Sequence, residues 1–343
     1  MKIKYPLLSN AFSNKDIEVG VKVLRSKFIT MSKHTEKFEK FFAKKLNLKY
    51  ALMTNSGSSA NLLAVSSLIN PFRKKKLNKG DEVLIPAVCW STSLWPIIQN
   101  GLKPVFVDVE LDTFNISLDD LKKKITKKTK AIMCIHILGT STDMKKLNQI
   151  AKKFKLSVIE DTCESLGARY NNKYLGSFGE FGTFSFYYSH QITCGEGGMI
   201  VCNNKEDYNI LKTLRSHGWS RNTSFEKKFK KKYQKVDDRF MFVNSGYNLR
   251  PTDVQAAIGL NQLRRLETFK KIRKENRTKI IKNLKSDIKW KDQFKFVEIN
   301  KNIHPSWFGL AILINPVYKT KKKKYLNYLN SIGIENRPIL SGN

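Results

Sequence analysis

No stretch of this 343-residue chain approaches the roughly 18 consecutive apolar residues that a membrane-spanning helix needs, and the start MKIKYPLLSNAFSNKD is too broken by Asn, Ser and Lys to read as a secretory leader. Close-spaced cysteines are also missing. Cys89, Cys134, Cys163, Cys194 and Cys202 occur without CxxC or CxC spacing, which speaks against a disulfide frame, a metal site or an iron–sulfur centre and for reduced thiols in the cytoplasm. Acidic residues are scarce: 29 against 63 basic ones, a net charge of +34. Such a balance raises nucleic acid or an anionic membrane surface as partners. The lysines, however, fall in short clusters (Lys74 to Lys76, Lys122 to Lys124, Lys230 to Lys232, Lys321 to Lys324) spread through helix-forming sequence, the pattern of solvated helix faces. Neither partner is expected, although an anionic substrate would gain from the field. No internal repeat or low-complexity linker is visible. With 41% apolar and 27% charged residues, the chain has ordinary globular composition and length for one large and one smaller domain.

From about residue 49 to 202, short β-rich runs alternate with longer helical patterns, which predicts a parallel sheet covered by helices. The expected strands are 49–54, 82–86, 104–109, 131–137, 156–161, 182–187 and 198–202, with helices such as 59–68 and 144–154 between them. The lysine-rich KKFKKKYQK (227–235) reads as part of a surface excursion, and one long helix is expected from Pro251 to about Asn283. The division expected is residues 1–250 for a large α/β domain, 251–283 for the connecting helix and 284–343 for a small C-terminal α/β domain.

Ligands of such sheets bind beyond the carboxyl ends of the strands, and three motifs fall there. TNSGSSAN (54–61) follows a strand and opens a helix, so its amides and hydroxyls suit a phosphate. LSVIED ends in Asp161, where a carboxylate can meet a cationic ring nitrogen. The third, GTFSFYYSHQITCGEGGMIV (182–201), carries a resemblance: it is similar to the lysine loop of the vitamin B6-dependent, fold-type I sugar aminotransferases, the DegT/DnrJ/EryC1/StrS family. FSF stands at Phe184 to Phe186 and EGG at Glu196 to Gly198, but His190 occupies the place of the cofactor lysine. PAVCWSTS (86–93), EDTCESLGA (160–168) and GYNLRPTDVQAAIG (246–259) extend the resemblance over most of residues 5–270.

The resemblance implies pyridoxal or pyridoxamine 5'-phosphate as cofactor. Gly57, Ser58 and Ser185 would hold its phosphate and Trp90 would stack on its ring. Asp161 would pair with the ring nitrogen, with Glu164 one helical turn further on. Asn248 would reach the phosphate of a neighbouring subunit, so a homodimer with shared active sites is implied. Arg337 matches an arginine for an acidic group of substrate or amino donor. Its surroundings stop at GIENRPILSGN (333–343), where similar proteins continue, so a shortened small domain is expected.

Histidine cannot form the imine that a lysine forms with this cofactor, so noncovalent binding is expected, while an imidazole can still move protons. Within the family that combination resembles the 3-dehydratases. The expected reaction removes the 3-hydroxyl of a nucleotide-linked 4-keto-6-deoxy sugar, GDP-4-keto-6-deoxy-D-mannose before others, with glutamate as amino donor and ammonia released. Two alternatives stand beside it: an aminotransferase without the usual lysine, whose product keeps the nitrogen, and a noncatalytic member, which would not need the complete cofactor cradle.

Overall fold

A computed structural model of the chain describes residues 3–9 and 11–339; residues 1, 2 and 10 and the last four of the terminal segment lie outside it. Seven strands form the central sheet: β1 (Tyr50–Thr54), β2 (Glu82–Pro86), β3 (Lys103–Val107), β4 (Thr129–Ile135), β5 (Ser157–Asp161), β6 (Phe181–Ser185) and β7 (Gly198–Cys202). Their order is β1-β7-β6-β5-β4-β2-β3. Only β7 runs against the others, paired antiparallel with β1 and β6. The expected α/β fold with a mostly parallel sheet is therefore present. Because the other six strands share one direction, Thr54, Pro86, Val107, Ile135, Asp161 and Ser185 end at one edge of the sheet.

Alternation of side chains along the strands divides the packing between two faces. Leu52 and Ile200 face α3 (Gly57–Leu68), α4 (Ser91–Gln99) and α7 (Lys205–Arg215), whereas Ala51, Met53, Met199 and Val201 face α2 (Lys33–Leu46) and α9 (Asp253–Arg264). On the latter side, further along the sheet, Leu84, Ile132 and Val158 pack against α5 (Leu118–Lys124) and α6 (Met144–Phe154). Phe38 and Phe42 of α2 are fully buried against Phe184 and Phe186, with ring centroids 5.0 to 5.8 Å apart. Each such ring stabilises the fold by about 1.5–3 kcal/mol relative to exposure, which pins down the strand leading into the His190 loop. The N-terminal α1 (Asn14–Arg25) lies on α9, where buried Asp16 accepts hydrogen bonds from Asn261 (2.7 Å) and Gln262 (3.0 Å) and pairs with Arg265.

Most of the lysine-rich stretch 227–235 lies in or beside α8 (Ser224–Lys232), whose lysines face outward while buried Phe225 holds the helix down, its ring 4.6 Å from that of Phe72. The single helix expected over 251–283 is two, α9 and α10 (Leu266–Lys285), separated at Arg265. That residue leaves helical geometry at φ −97°, ψ 0°, its guanidinium held by Asp16 and the next side chain, Leu266, fully buried. The C-terminal part contains an antiparallel pair, Phe294–Phe296 with Ile312–Ile314, and α11 (Lys322–Ser331). It also reaches back, because Ile303–His304 pairs with Arg169–Tyr170 beside the main sheet. Among the described residues no helix is long and apolar enough to cross a membrane.

Candidate active site

Asp161 closes β5 and is 4% exposed. Its Oδ2 accepts hydrogen bonds from Asn61 Nδ2 (2.8 Å) and Ser93 Oγ (2.7 Å), and its Oδ1 from the Cys163 amide (3.1 Å). Asn61 is oriented in turn by the Thr183 hydroxyl, which donates to its Oδ1 at 2.6 Å. A buried acceptor needs such donors, and three elements of the fold supply them.

The phosphate-like corner is built where Thr54 and Ser185 both pair with Gly198. Ser56 caps α3 by accepting from the Ser59 amide (3.1 Å), while the Gly57 and Ser58 amides, in the first turn, have no acceptor within their own helix. Helix and strand touch here: a Cβ at Gly57 would lie 2.5 Å from Ser185 Cβ and 3.0 Å from its hydroxyl. Ser58 is exposed beside them. An anion over this turn would meet amides, two hydroxyls and the positive end of the helix.

His190 follows β6 in a turn whose amide bonds to the Tyr187 carbonyl (3.0 Å). Its Nδ1 lies 2.8 Å from the Cys163 carbonyl oxygen. A carbonyl can only accept, so Nδ1 carries the proton and Nε2 keeps a bare lone pair. Burial depresses its pKa to about 4; the Cys163 hydrogen bond and the Asp161 charge oppose that, and Arg273 adds to it. The imidazole is thus a neutral base at pH 7. The backbone of Cys163 links the two functional groups, its N–H donating to Asp161 and its carbonyl accepting from His190.

Glu164 is placed differently from the expectation. Residues 162–167 form turns, not a helix, and the Glu164 carboxylate accepts from the Leu138 amide at 2.8 Å. Burial, with the Asp161 charge adding to it, raises its pKa to about 7 against the opposing Leu138 bond. Trp90 begins α4, 60% exposed and three residues from Ser93. Asn248 is exposed, bridged to Ser216 and accepting from Arg250 Nε at 3.0 Å. Arg337 stands apart, with its guanidinium exposed and paired with Glu335 at 3.3 Å. Sequence reasoning missed Asn61 and Ser93, although both lie inside motifs it had singled out, and a polar Asn61 in an almost wholly buried helix was the available signal. It also missed Arg273 and Gln191. Among the described residues no cluster of three His, Cys, Asp or Glu side chains is arranged to hold a metal ion.

The DegT/DnrJ/EryC1/StrS aminotransferase family model matches residues 11–341. The chain belongs to that family. GDP-4-keto-6-deoxy-D-mannose 3-dehydratase of Escherichia coli O55:H7 is 41% identical, the match covering 99% of this chain and 87% of that protein. The solved structure of the E. coli GDP-4-keto-6-deoxy-D-mannose 3-dehydratase with bound hydrated PLP superposes with a TM-score of 0.91 at 38% identity, over 100% of this chain and 87% of that one. A GDP-4-keto-6-deoxymannose 3-dehydratase structure with a trapped PLP–glutamate geminal diamine gives 0.90 at 38%, over 99% and 87%. The residues present fit the family's cofactor. A buried, oriented carboxylate at Asp161 suits a cationic pyridine nitrogen, and the glycine-lined first turn of α3 against Ser185 suits its phosphate.

Proposed function

We propose that this family member is a pyridoxal/pyridoxamine 5'-phosphate-dependent 3-dehydratase of a nucleotide-linked 4-keto-6-deoxy sugar. GDP-4-keto-6-deoxy-D-mannose is the first choice of substrate, and glutamate the amino donor. The observation that carries the reading is His190, neutral and with Nε2 bare, where an aminotransferase has its lysine. When bound, the cofactor supplies an amine for the 4-keto carbon and a ring that accepts electrons released there. Asp161 holds the ring nitrogen, Gly57, Ser58 and Ser185 the phosphate, and Trp90 covers the ring face, so that retention is noncovalent. Glu164, three residues after Asp161 and with its pKa raised to about 7, is a group able to donate or accept a proton near neutrality. His190 Nε2 would take a proton from the carbon that bears the cofactor's amine, and the resulting imidazolium would give it to the 3-hydroxyl, which leaves as water. The sugar loses one oxygen, and glutamate leaves as its 2-oxo acid with ammonia released.

The exposed Asn248 completes the phosphate site of a second copy, which makes the working form a homodimer. Arg337, held by one surface partner, exchanges Glu335 for an acidic group of substrate or donor. A nucleotide-sugar substrate and cysteines without a disulfide spacing suit the cytoplasm. The test is incubation of the protein with pyridoxal phosphate, glutamate and GDP-4-keto-6-deoxymannose, following ammonia and the mass of the sugar nucleotide. Loss of the 3-oxygen with ammonia release, both abolished in His190→Asn, is expected. A product that keeps nitrogen returns the chain to the aminotransferases.

A further inference from the structure

The motif HPSWFG (304–309) has no part in the reading so far, yet it lies against the catalytic loop. The Ser306 amide donates to the Gly139 carbonyl (3.0 Å) and the Phe308 amide to the Leu138 carbonyl (3.3 Å). The approach is so close that a Cβ at Gly139, where φ is +85°, would lie 2.0 Å from the Ser306 oxygen. Trp307 is 6% exposed, with the Arg277 guanidinium 3.9 Å above its ring. Two side chains then tie this strap to the His190 turn. Gln191 Nε2 donates to the Ser306 carbonyl (3.2 Å) and to that of Glu164. Arg273 donates to the carbonyls of Trp307 (3.2 Å) and His190 (3.4 Å). Phe308 meets the imidazole edge-on, 5.2 Å between centroids at 76°, and Tyr187 makes a second wall at 5.9 Å and 87°.

We propose that Phe308 is a positioning residue for His190: the docked 304–309 strap presses its ring against the imidazole and holds the rotamer in which Nδ1 donates to Cys163 and Nε2 stays bare. The proposal rests on His190 being the proton-transfer group. It makes base placement depend on the C-terminal part of the chain, which among the described residues donates no hydrogen bond to Asp161. The charged groups acting on the imidazole are Asp161 and Arg273; the Cys163 carbonyl, Tyr187 and Phe308 complete its surroundings.

The experiment is nitrogen NMR of histidine-labelled full-length protein, with His190 assigned among the five histidines through His190→Asn. Wild type is expected to show one Nδ1–H tautomer, and its midpoint to lie near 4. In Phe308→Ala the midpoint moves toward 6.5 and both tautomers appear. The rate of ammonia release falls on the order of 10- to 100-fold while pyridoxal phosphate affinity is unchanged. Phe308→Leu, which keeps apolar bulk, recovers most of both. Should Phe308→Ala fail to fold by its melting curve, Phe308→Val and Phe308→Leu are compared, with more tautomer mixing expected in the smaller. An unchanged midpoint and tautomer in the folded small variant overturns the proposal whatever happens to the rate. A nitrogen-retaining product would instead sink the dehydratase reading and leave the His190 titration to decide the positioning role.

Discussion

Asp161 sits 4% exposed beneath three donors, two of them from Asn61 and Ser93, 100 and 68 residues away in the chain. Arg337 stands on the surface with the neighbouring Glu335 as its ion-pair partner. The sheet edge and the C-terminal end therefore treat charge in opposite ways. A buried carboxylate must be satisfied by partners that only the assembled fold brings near, so its position is over-determined and rigid. An exposed ion pair is worth little and can be exchanged for a ligand at small cost. Preorganised cofactor chemistry suits the first setting, and adaptable recognition of an acidic group the second.

Breaking the rigid side should have the largest effect. Asp161→Ala removes the proposed ring-nitrogen partner and orphans the donors of Asn61 and Ser93, so turnover should fall on the order of 10²–10³-fold, and melting should show a loss of about 1–3 kcal/mol.

The next test concerns a pair of opposed titrations. Glu164 is raised from 4.5 to about 7, so its contribution to stability is fully present below about pH 4.5 and is lost as pH rises through about 7. His190 is lowered from 6.5 to about 4, so its contribution is present above about pH 6.5 and is lost as pH falls through about 4. Over the shared window the two trends offset. Glu164→Gln removes one of them: its melting temperature relative to wild type should rise from pH 4.5 to 7 and then level, the gap reaching up to roughly 3 kcal/mol. A pH-independent gap would show that Glu164 ionises freely.

Gly57→Ala drives a Cβ against Ser185. Denaturant titration should show a cost of about 1–3 kcal/mol, with weakened binding of pyridoxal phosphate by fluorescence. The smallest change is on the adaptable side. Arg337→Ala should alter stability by less than about 0.5 kcal/mol and raise KM for glutamate or the sugar nucleotide with kcat unaltered. An unchanged KM for both would remove Arg337 from the recognition site.

The sheet was largely legible in the sequence. Two of its strands, Glu82–Pro86 and Gly198–Cys202, and the helix Met144–Phe154 have the expected boundaries, because short apolar runs bounded by turn residues admit few other structures. The break at Arg265 was not legible. It depends on Asp16, nearly 250 residues earlier, and local helix propensity runs straight through it. Gly57, Asp161, Ser185 and His190 could be found because their motifs are contiguous. Asn61 and Ser93 stood in those motifs, but their bonds to Asp161 exist only across packed elements, as does the relation of Arg273 and Phe308 to His190.

By itself, the order of residues determined the α/β class, the family and the replacement of a lysine by His190, and with it the loss of covalent cofactor attachment. These are properties of local pattern and side-chain chemistry. Tertiary structure alone decided which imidazole nitrogen is bare, that burial keeps His190 neutral and lifts Glu164, and that a strap from the C-terminal part closes on the base. Protonation and orientation depend on neighbours and on exclusion from water, and those arise only once distant segments pack together.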